Sequence, residues 1–529
     1  VCVAACAGCL PRADSSVPDD PAPPVPRDGG SFHVMVEAPG TFDPSLVDDV
    51  YEACIANQIY DGLLEFDVHL NPVPAIAREW SVSRDGLEYT FLLRKDVRFH
   101  NGRRVIADDV VYSFTRIFGP DRTDFGIGGG YLRKIDGVEE YVARRASMIR
   151  GLLAVNDTTL VVRLAAPYGS FLSVLAMDQA KIVAREEIER GESAPPVGTG
   201  PFRWDGYVDD PEDPRIVLHA NEDFRGGRPH LDEVVFHTPR DYNVDKAAEA
   251  LFAGRITMCD MPGSWKERFE ADPRFRIVHR PELSFSFVGF HVDRAPYRDP
   301  RIRQAIAHAI DRERIAKVDP VGRIPAVGIL PPGMFAYSPE SKVFPFDPTE
   351  ARRLLAEAGY PGGKGLPPVV YHQANRGEAG RAADAILKEN LTAVGLRVEF
   401  RYADWDRFSA DIDAGRLPCL GLTWVADVPD PDSFLASLFL TNGAYNMFGY
   451  SNREVDSLLV AGSGMRSTRE RADVYRRAER LIVQDAPVVP LYNIENTFAV
   501  RADVRDVLVT PFGLGNLAME KIWLDAPTT

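Results

Sequence analysis

The stretch LTWVADVPDPDSF, residues 422–434, sets Trp424 three residues ahead of Asp427 and then strings Asp430 and Asp432 between prolines. Carboxylates in such a segment have four uses: capping a helix, holding a metal, moving a proton, or receiving a cationic ligand. The last use rests on electrostatics, because a charge taken out of water needs a counter-charge and hydrogen bonds. Capping competes with it, since short acids beside prolines bond readily to the backbone of the next turn. Asp432, just after Pro431 and ahead of SFLASLF, reads as a cap or part of a solvated first helical turn. Asp430 goes with it, and Asp427 is left open.

Other chemistry finds little support. The chain carries no HExxH, GxSxG or GxxxxGK[ST] pattern. Gly126, Gly128, Gly129 and Gly130 miss the dinucleotide spacing, because Tyr131 stands where the last glycine belongs. The ten histidines form no i, i+4 pair, and His100, His291 and His308 read as satisfied core or surface residues. No metal, no cofactor and no catalysis are expected. Of six cysteines, only Cys54, Cys259 and Cys419 lie in the body of the chain. Three dispersed cysteines make no disulfide framework, and buried free thiols are expected.

The elements that must position these residues alternate. SFHVMVEAP, from Ser31, reads as a strand, and DDVYEACIANQIYDGLLEFD carries Val50, Ile55, Ile59 and Leu63 at helical spacing. DGLEYTFLLRKDVRFHNG alternates Leu87, Tyr89, Phe91 and Leu93 at period two, and ADDVVYSFTRIF opens a helix on acids. In SAPPVGTGPF, Gly198 and Gly200 are expected to take backbone angles closed to other residues. DPRIRQAIAHAIDRERIA predicts a single helix with Asp299 as cap and Pro300 at its first position. DPTEARRLLAEAGY, AGRAADAILKENLTAVG and TRERADVYRRAERLIVQDA predict three more, and PVVPLYN a buried strand. This alternation predicts a mixed α/β architecture with several lobes.

Composition narrows the class. At 529 residues, 45% hydrophobic and 26% charged, the chain has the make-up of an ordinary globular protein of two to four units. A formal net charge of −16 argues against nucleic acid, whose phosphates need a basic face. No apolar run approaches the length of a membrane span. The opening VCVAACAGCL is short, apolar and small, and leads into a proline-rich polar tether, residues 11–30. Val3-Ala4-Ala5-Cys6 resembles the bacterial lipobox, which marks Cys6 for lipid attachment, with Cys9 a poorer match.

Six segments in order resemble family 5 of the bacterial extracellular solute-binding proteins, the oligopeptide-, dipeptide- and nickel-binding receptors of ABC importers. They are AREWSVSRDGLEYTFLLRKDVRFHNG (77–102), ADDVVYSF, GTGPF (198–202), RAPYRDPRIRQAIAHAID (294–311), FDPTEARRLLAEAGYP (346–361) and the 422–434 stretch. The resemblance runs from Ser31 to Asp525. It implies an α/β, bilobal periplasmic-binding-protein-like clamp of the cluster C type with an additional inserted domain. Lobe I would comprise 31–60, 194–284 and 497–529, the inserted domain 61–193, and lobe III 285–496. A monomer outside the cytoplasm would capture a solute between lobes I and III and present it to the permease subunits of a transporter. Its contact with the membrane would be a lipid anchor alone.

Carried over residue by residue, Trp424 and Asp427 match the family's Trp-x-x-Asp segment, whose acid pairs with a ligand α-amino group. Trp405 matches an aromatic that walls ligand pockets, and Tyr131 is a candidate from the inserted domain. Where oligopeptide binders carry arginines upstream of this segment, Ile412 and Gly421 stand here, while Arg376 falls near the carboxylate arginine of dipeptide binders. The segment is therefore prepared for an amine more plainly than for a carboxylate. Alternatives from the same fold are a receptor for a nickel chelate, haem, an oligosaccharide or an opine-like compound. A hydrolase in the gap between lobes is the reading from another class.

Overall fold

A computed structural model describes residues 25–525 except 120, 121, 123, 124, 192–194, 320, 342, 343, 376 and 444. Cys6 and Arg376 therefore fall outside the described residues. The spine is a sheet of twelve strands. In chain order these are β1 (Ser31–Met35), β2 (Phe202–Val208), β3 (Arg215–Ala220), β4 (Glu233–His237), β5 (Met258–Asp260) and β6 (Phe275–Pro281). The remaining six are β7 (Ser284–Phe290), β8 (Arg323–Pro325), β9 (Val369–Ala374), β10 (Val398–Ala403), β11 (Cys419–Val425) and β12 (Val488–Arg501). They lie in the order β10–β9–β11–β7–β12–β5–β1–β4–β3–β2, with β6 and β8 also pairing to β12.

The long strand β12 belongs to two lobes at once. Residues 488–494 pair with β7 and β8, and residues 495–501 pair with β6 and β5. A second crossing runs beside it: β6 ends at Pro281, β7 starts at Ser284, and only Glu282 and Leu283 lie between. The result is a bilobal α/β clamp whose halves are joined by adjacent strands. Every residue of β7, SFSFVGF, is buried, as a strand covered on both faces requires.

The buried apolar residues fall into distinct groups. One gathers Phe32, Ile55, Phe202, Phe236, Val500 and Ile522 around the β1 end of the sheet. Two others pack against β7, β9 and β11, around Phe285, Phe434 and Tyr475 on one side and Ile306, Leu355 and Tyr371 on the other. A further group is built on a separate four-stranded antiparallel sheet, Ala77–Val82, Glu88–Leu93, Thr159–Arg163 and Leu152–Asn156. Phe91, Phe114 and Phe171 lie at its centre. Val428, from the far lobe, is fully buried in this same core.

Local chemistry explains most boundaries. The helix α1 (Val50–Ile59) starts where Asp49 accepts hydrogen bonds from the Tyr51 and Glu52 backbone, and stops before Leu63, which belongs to the next loop. The segment 299–316 forms two helices rather than one, Pro300–Ala309 and Arg312–Ala316, because Ile310 is extended and Asp311 caps anew on the Arg314 N–H. Gly198 and Gly200 have ordinary backbone angles, against expectation. Their need for glycine is spatial, since an added Cβ would meet the Ile59 and Gln58 carbonyl oxygens at 2.0 and 2.5 Å. His100 of the HNG motif binds this same loop, its Nε2 lying 3.1 Å from the Gly200 oxygen, and burial lowers its pKa to about 4. Two of the resembling motifs thus brace each other. Cys54, Cys259 and Cys419 are buried free thiols.

Candidate functional site

Strands β9, β10 and β11 are parallel, so their C-terminal ends open on one edge of the lobe. In such sheets that edge is where ligands bind. The chain places Trp405 just past β10 and Asp427 just past β11. The loop after β11 is held rigidly. The Asp427 N–H donates to Ser433 Oγ (3.1 Å), and the Trp424 indole donates to the Ser433 carbonyl (2.7 Å). Val428 anchors the loop in the core of the inserted unit.

The three acids of this loop have different fates. Asp430 accepts from the Asp432 backbone (3.0 Å) to cap the short turn 431–433. It also takes both arms of the Arg471 guanidinium, at 2.7 and 2.8 Å, inside the protein. Arg471 lies on the helix Thr468–Asp485 and further donates to Ser170 Oγ (3.2 Å) in the inserted unit. Asp432 is buried, not in a solvated turn. Tyr475 donates to its Oδ1 at 2.6 Å, while burial and the neighbouring Asp430 raise its pKa to about 6. Asp427 has no cation among the described residues. The partner its carboxylate does have is the Tyr131 hydroxyl, which donates to Oδ2 at 2.9 Å.

Tyr131 sits near the end of the helix Gly126–Leu132, in the inserted unit. Burial and the adjacent Asp427 hold its phenol far above the usual value, so it remains a donor. Burial pushes Asp427 up to about 6, against the opposing pull of the Tyr131 hydrogen bond. A desolvated carboxylate with a neutral donor and no counter-charge is poised for a cation.

Asp427 faces a cavity of about 230 Å³ between the lobes, lined also by Asp48, Asp49, Asp178 and Glu282, with Phe66 and Phe512 as apolar walls. Glu282, at the strand crossing, has a buried Oε2 without a partner among the described residues, and burial raises its pKa. Burial also raises Asp178, despite Lys181 and the Asn57 amide at 2.6 Å. Asp48, Asp49 and Glu52 bring carboxylate oxygens within 4.8 Å. Asp49 is engaged in the α1 cap, however, and Glu52 accepts from the Gly40, Thr41 and Asp48 N–H groups. Val50, Glu282 and Phe512 are shared with a second cavity of about 460 Å³ that includes Asp260, Arg323 and Tyr492. Burial pushes Asp260 up to about 6.

The structure thus joins Asp427 and Tyr131 directly. Trp424 braces the loop and packs on Tyr445 (ring centroids 5.2 Å apart) rather than lining the cavity. Trp405 opens the helix Trp405–Asp413 and is 59% exposed, with its ring near Phe408 and in neither cavity wall. The absent arginines have physical causes. A Cβ at Gly421 would lie 2.1 Å from the Tyr371 hydroxyl oxygen, and Ile412 packs against the lobe's core. Glu282 escapes sequence reasoning, because a glutamate between two strands carries no local signal.

Comparison with known families matches residues 71–446 to the bacterial extracellular solute-binding proteins, family 5 middle region. The chain belongs to this family. It is 29% identical over 509 residues to the heme-binding protein A of Haemophilus influenzae, covering 91% of this chain and 90% of that one. It is 27% identical over 499 residues to the dipeptide-binding protein of Escherichia coli, covering 90% and 91%. Among solved structures it resembles the periplasmic binding protein DppA of Helicobacter pylori in complex with the peptide STSA. There the TM-score is 0.76 at 27% identity, covering 94% of this chain and 99% of that one. The clamp is that of an extracellular solute-binding protein, and no helix among the described residues is long and apolar enough to cross a membrane.

Proposed function

We propose that this solute-binding protein is the capture component of an ABC importer. It takes a peptide-class solute between its lobes by the α-amino group and hands it to the membrane permease. The observation that carries the reading is Asp427, a desolvated carboxylate bonded to Tyr131 of another unit and unpaired with any described cation, at the wall of the interlobe cavity. A ligand ammonium there supplies the missing counter-charge and gains most when the clamp is shut, which is what ligand-driven closure requires. The named functions of the E. coli and H. pylori relatives agree with a peptide ligand.

In this reading lobe I comprises 31–60, 194–284 and 497–529, the inserted domain 61–193, and lobe III 285–496. Trp424 is a positioning residue for Asp427, Trp405 an aromatic at the cleft edge, and Cys6 the lipid attachment point of a monomer. The relative named for haem suggests another cargo. Against it, two haem carboxylates would meet a cavity walled by Asp48, Asp49, Asp178, Glu282 and Asp427.

Mass spectrometry of ligand retained on the gently purified protein, with calorimetry of free and N-acetylated peptides, tests the reading. Short peptides bound through a free amine are expected. A retained metal complex, sugar or porphyrin, with no peptide binding, would sink it.

A further inference from the structure

Another cavity, of about 550 Å³, is walled separately from the two described above. Residues 127–168, around the four-stranded sheet, supply one face with Ile127, Ala166 and Pro167. Residues 432–464 supply the other with Leu440, Leu459 and Val460. The segments 47–53 and 511–516, which wall the Asp427 cavity, take no part, and Ile127 is the one residue common to the two. Tyr131 lines this cavity and Asp427 the other, so the hydrogen bond between them ties the two walls together.

The chemistry of this wall is one-sided. Aliphatic side chains and the rings of Tyr131, Tyr168 and Tyr445 dominate it. Two of its large apolar groups are left to water, Val460 at 64% and Tyr445 at 49% exposure. Scattered singly, such residues need no explanation, but around one concavity they mark a surface fitted to an apolar partner. Two charged side chains reach the wall, Asp432 and Lys134. Asp432 is answered from within, with Tyr475 donating at 2.6 Å and the Arg471 guanidinium 3.7 Å away. Lys134 is not. It is exposed, its ammonium lies 4.6 Å from the centroid of the Tyr168 ring, and no described carboxylate pairs with it.

We infer that this cavity is an accessory binding site for an amphipathic monoanion, a carboxylate on a hydrocarbon body. The body fills the apolar space, and the head meets Lys134. An unpaired ammonium beside an apolar hollow matches a single negative charge on an apolar stem. A lysine is a point charge without a fork, so it sets the sign of the head group more than its shape. A cationic amphiphile would meet Lys134 as a like charge, and Asp432 already has its partners. The inference goes beyond the peptide reading and stands whether or not the cleft takes a peptide.

Calorimetry on the full chain with hexanoate, octanoate, 1-octanol and octylammonium tests it. Octanoate should bind more tightly than hexanoate by about fourfold per added methylene, the value of a buried CH₂ group. 1-Octanol should bind about fivefold more weakly than octanoate, the scale of a charge pair at an exposed lysine, and octylammonium more weakly still. Lys134→Gln should erase the preference for octanoate over 1-octanol. Val460→Glu, a like charge at the rim, should weaken octanoate, and Val460→Lys should strengthen it. Ala166→Trp should fill the space and abolish binding of all four probes. Val460 and Ala166 are exposed, so these variants keep the fold. A wild-type protein that binds no octanoate, binds octanoate and 1-octanol equally, or prefers octylammonium overturns the assignment. So does an octanoate preference that survives Lys134→Gln, or octanoate binding that survives Ala166→Trp.

Discussion

Asp427 and Asp430 stand three residues apart on one loop, and the protein treats them in opposite ways. Asp430 receives a bidentate guanidinium from its own chain and caps a turn besides. Asp427, at the cavity wall, receives a phenol. The first has its charge completed from within, and the second is left open. The difference teaches where to look: a buried acid left incomplete at a cavity marks the place for a ligand.

Removing Arg471 is the strongest way to break the closed side. Arg471→Met leaves Asp430 and Asp432 buried without their cation, and chemical denaturation is expected to show a loss of about 3–5 kcal/mol. Asp427→Ala breaks the open side. Ligand affinity should fall by about 2–5 kcal/mol in calorimetry, while the empty protein holds its melting temperature because a desolvated carboxylate has been removed. A drop in melting temperature with intact binding would turn Asp427 into a second Asp430.

Proton competition sharpens the contrast. With its pKa raised to about 6 in the empty site, Asp427 must lose a proton before pairing with an ammonium at lower pH. Affinity is therefore full above about pH 6 and falls as pH drops, approaching about tenfold per unit. Asp427→Asn should flatten that profile, and any residual slope would report Glu282 and Asp178, which burial also raises. The smallest effect belongs to Tyr131→Phe. It deletes one hydrogen bond, worth about 0.5–1.5 kcal/mol, and titration should show the pH midpoint moved upward, since that bond lowers the Asp427 pKa.

The features legible in the sequence are those that depend on neighbours along the chain. The cap at Asp299 is visible because a cap is decided within three residues. Asp427 is visible through its segment. A solvated Asp432 is the wrong expectation because Arg471 and Tyr475, which enclose it, come from a helix beginning at residue 468. The glycines of GTGPF show that something special happens there. Only the packed structure shows that it is contact with the end of α1 rather than an unusual turn. Glu282 is invisible for the same reason as Arg471: its meaning lies in groups distant along the chain, which line the cavities beside it.

The paired crossings at residues 281–284 and along β12 have a mechanical consequence. Two antiparallel strands bonded edge to edge resist shear and stretching but yield to torsion, so the lobes are left with one soft coordinate, a twist about the ribbon. Glu282 lies in the crossing between β6 and β7 and also in the wall of both cavities. A solute touching it presses near the pivot, where the lever arm is short and a small displacement becomes a large swing at the rim.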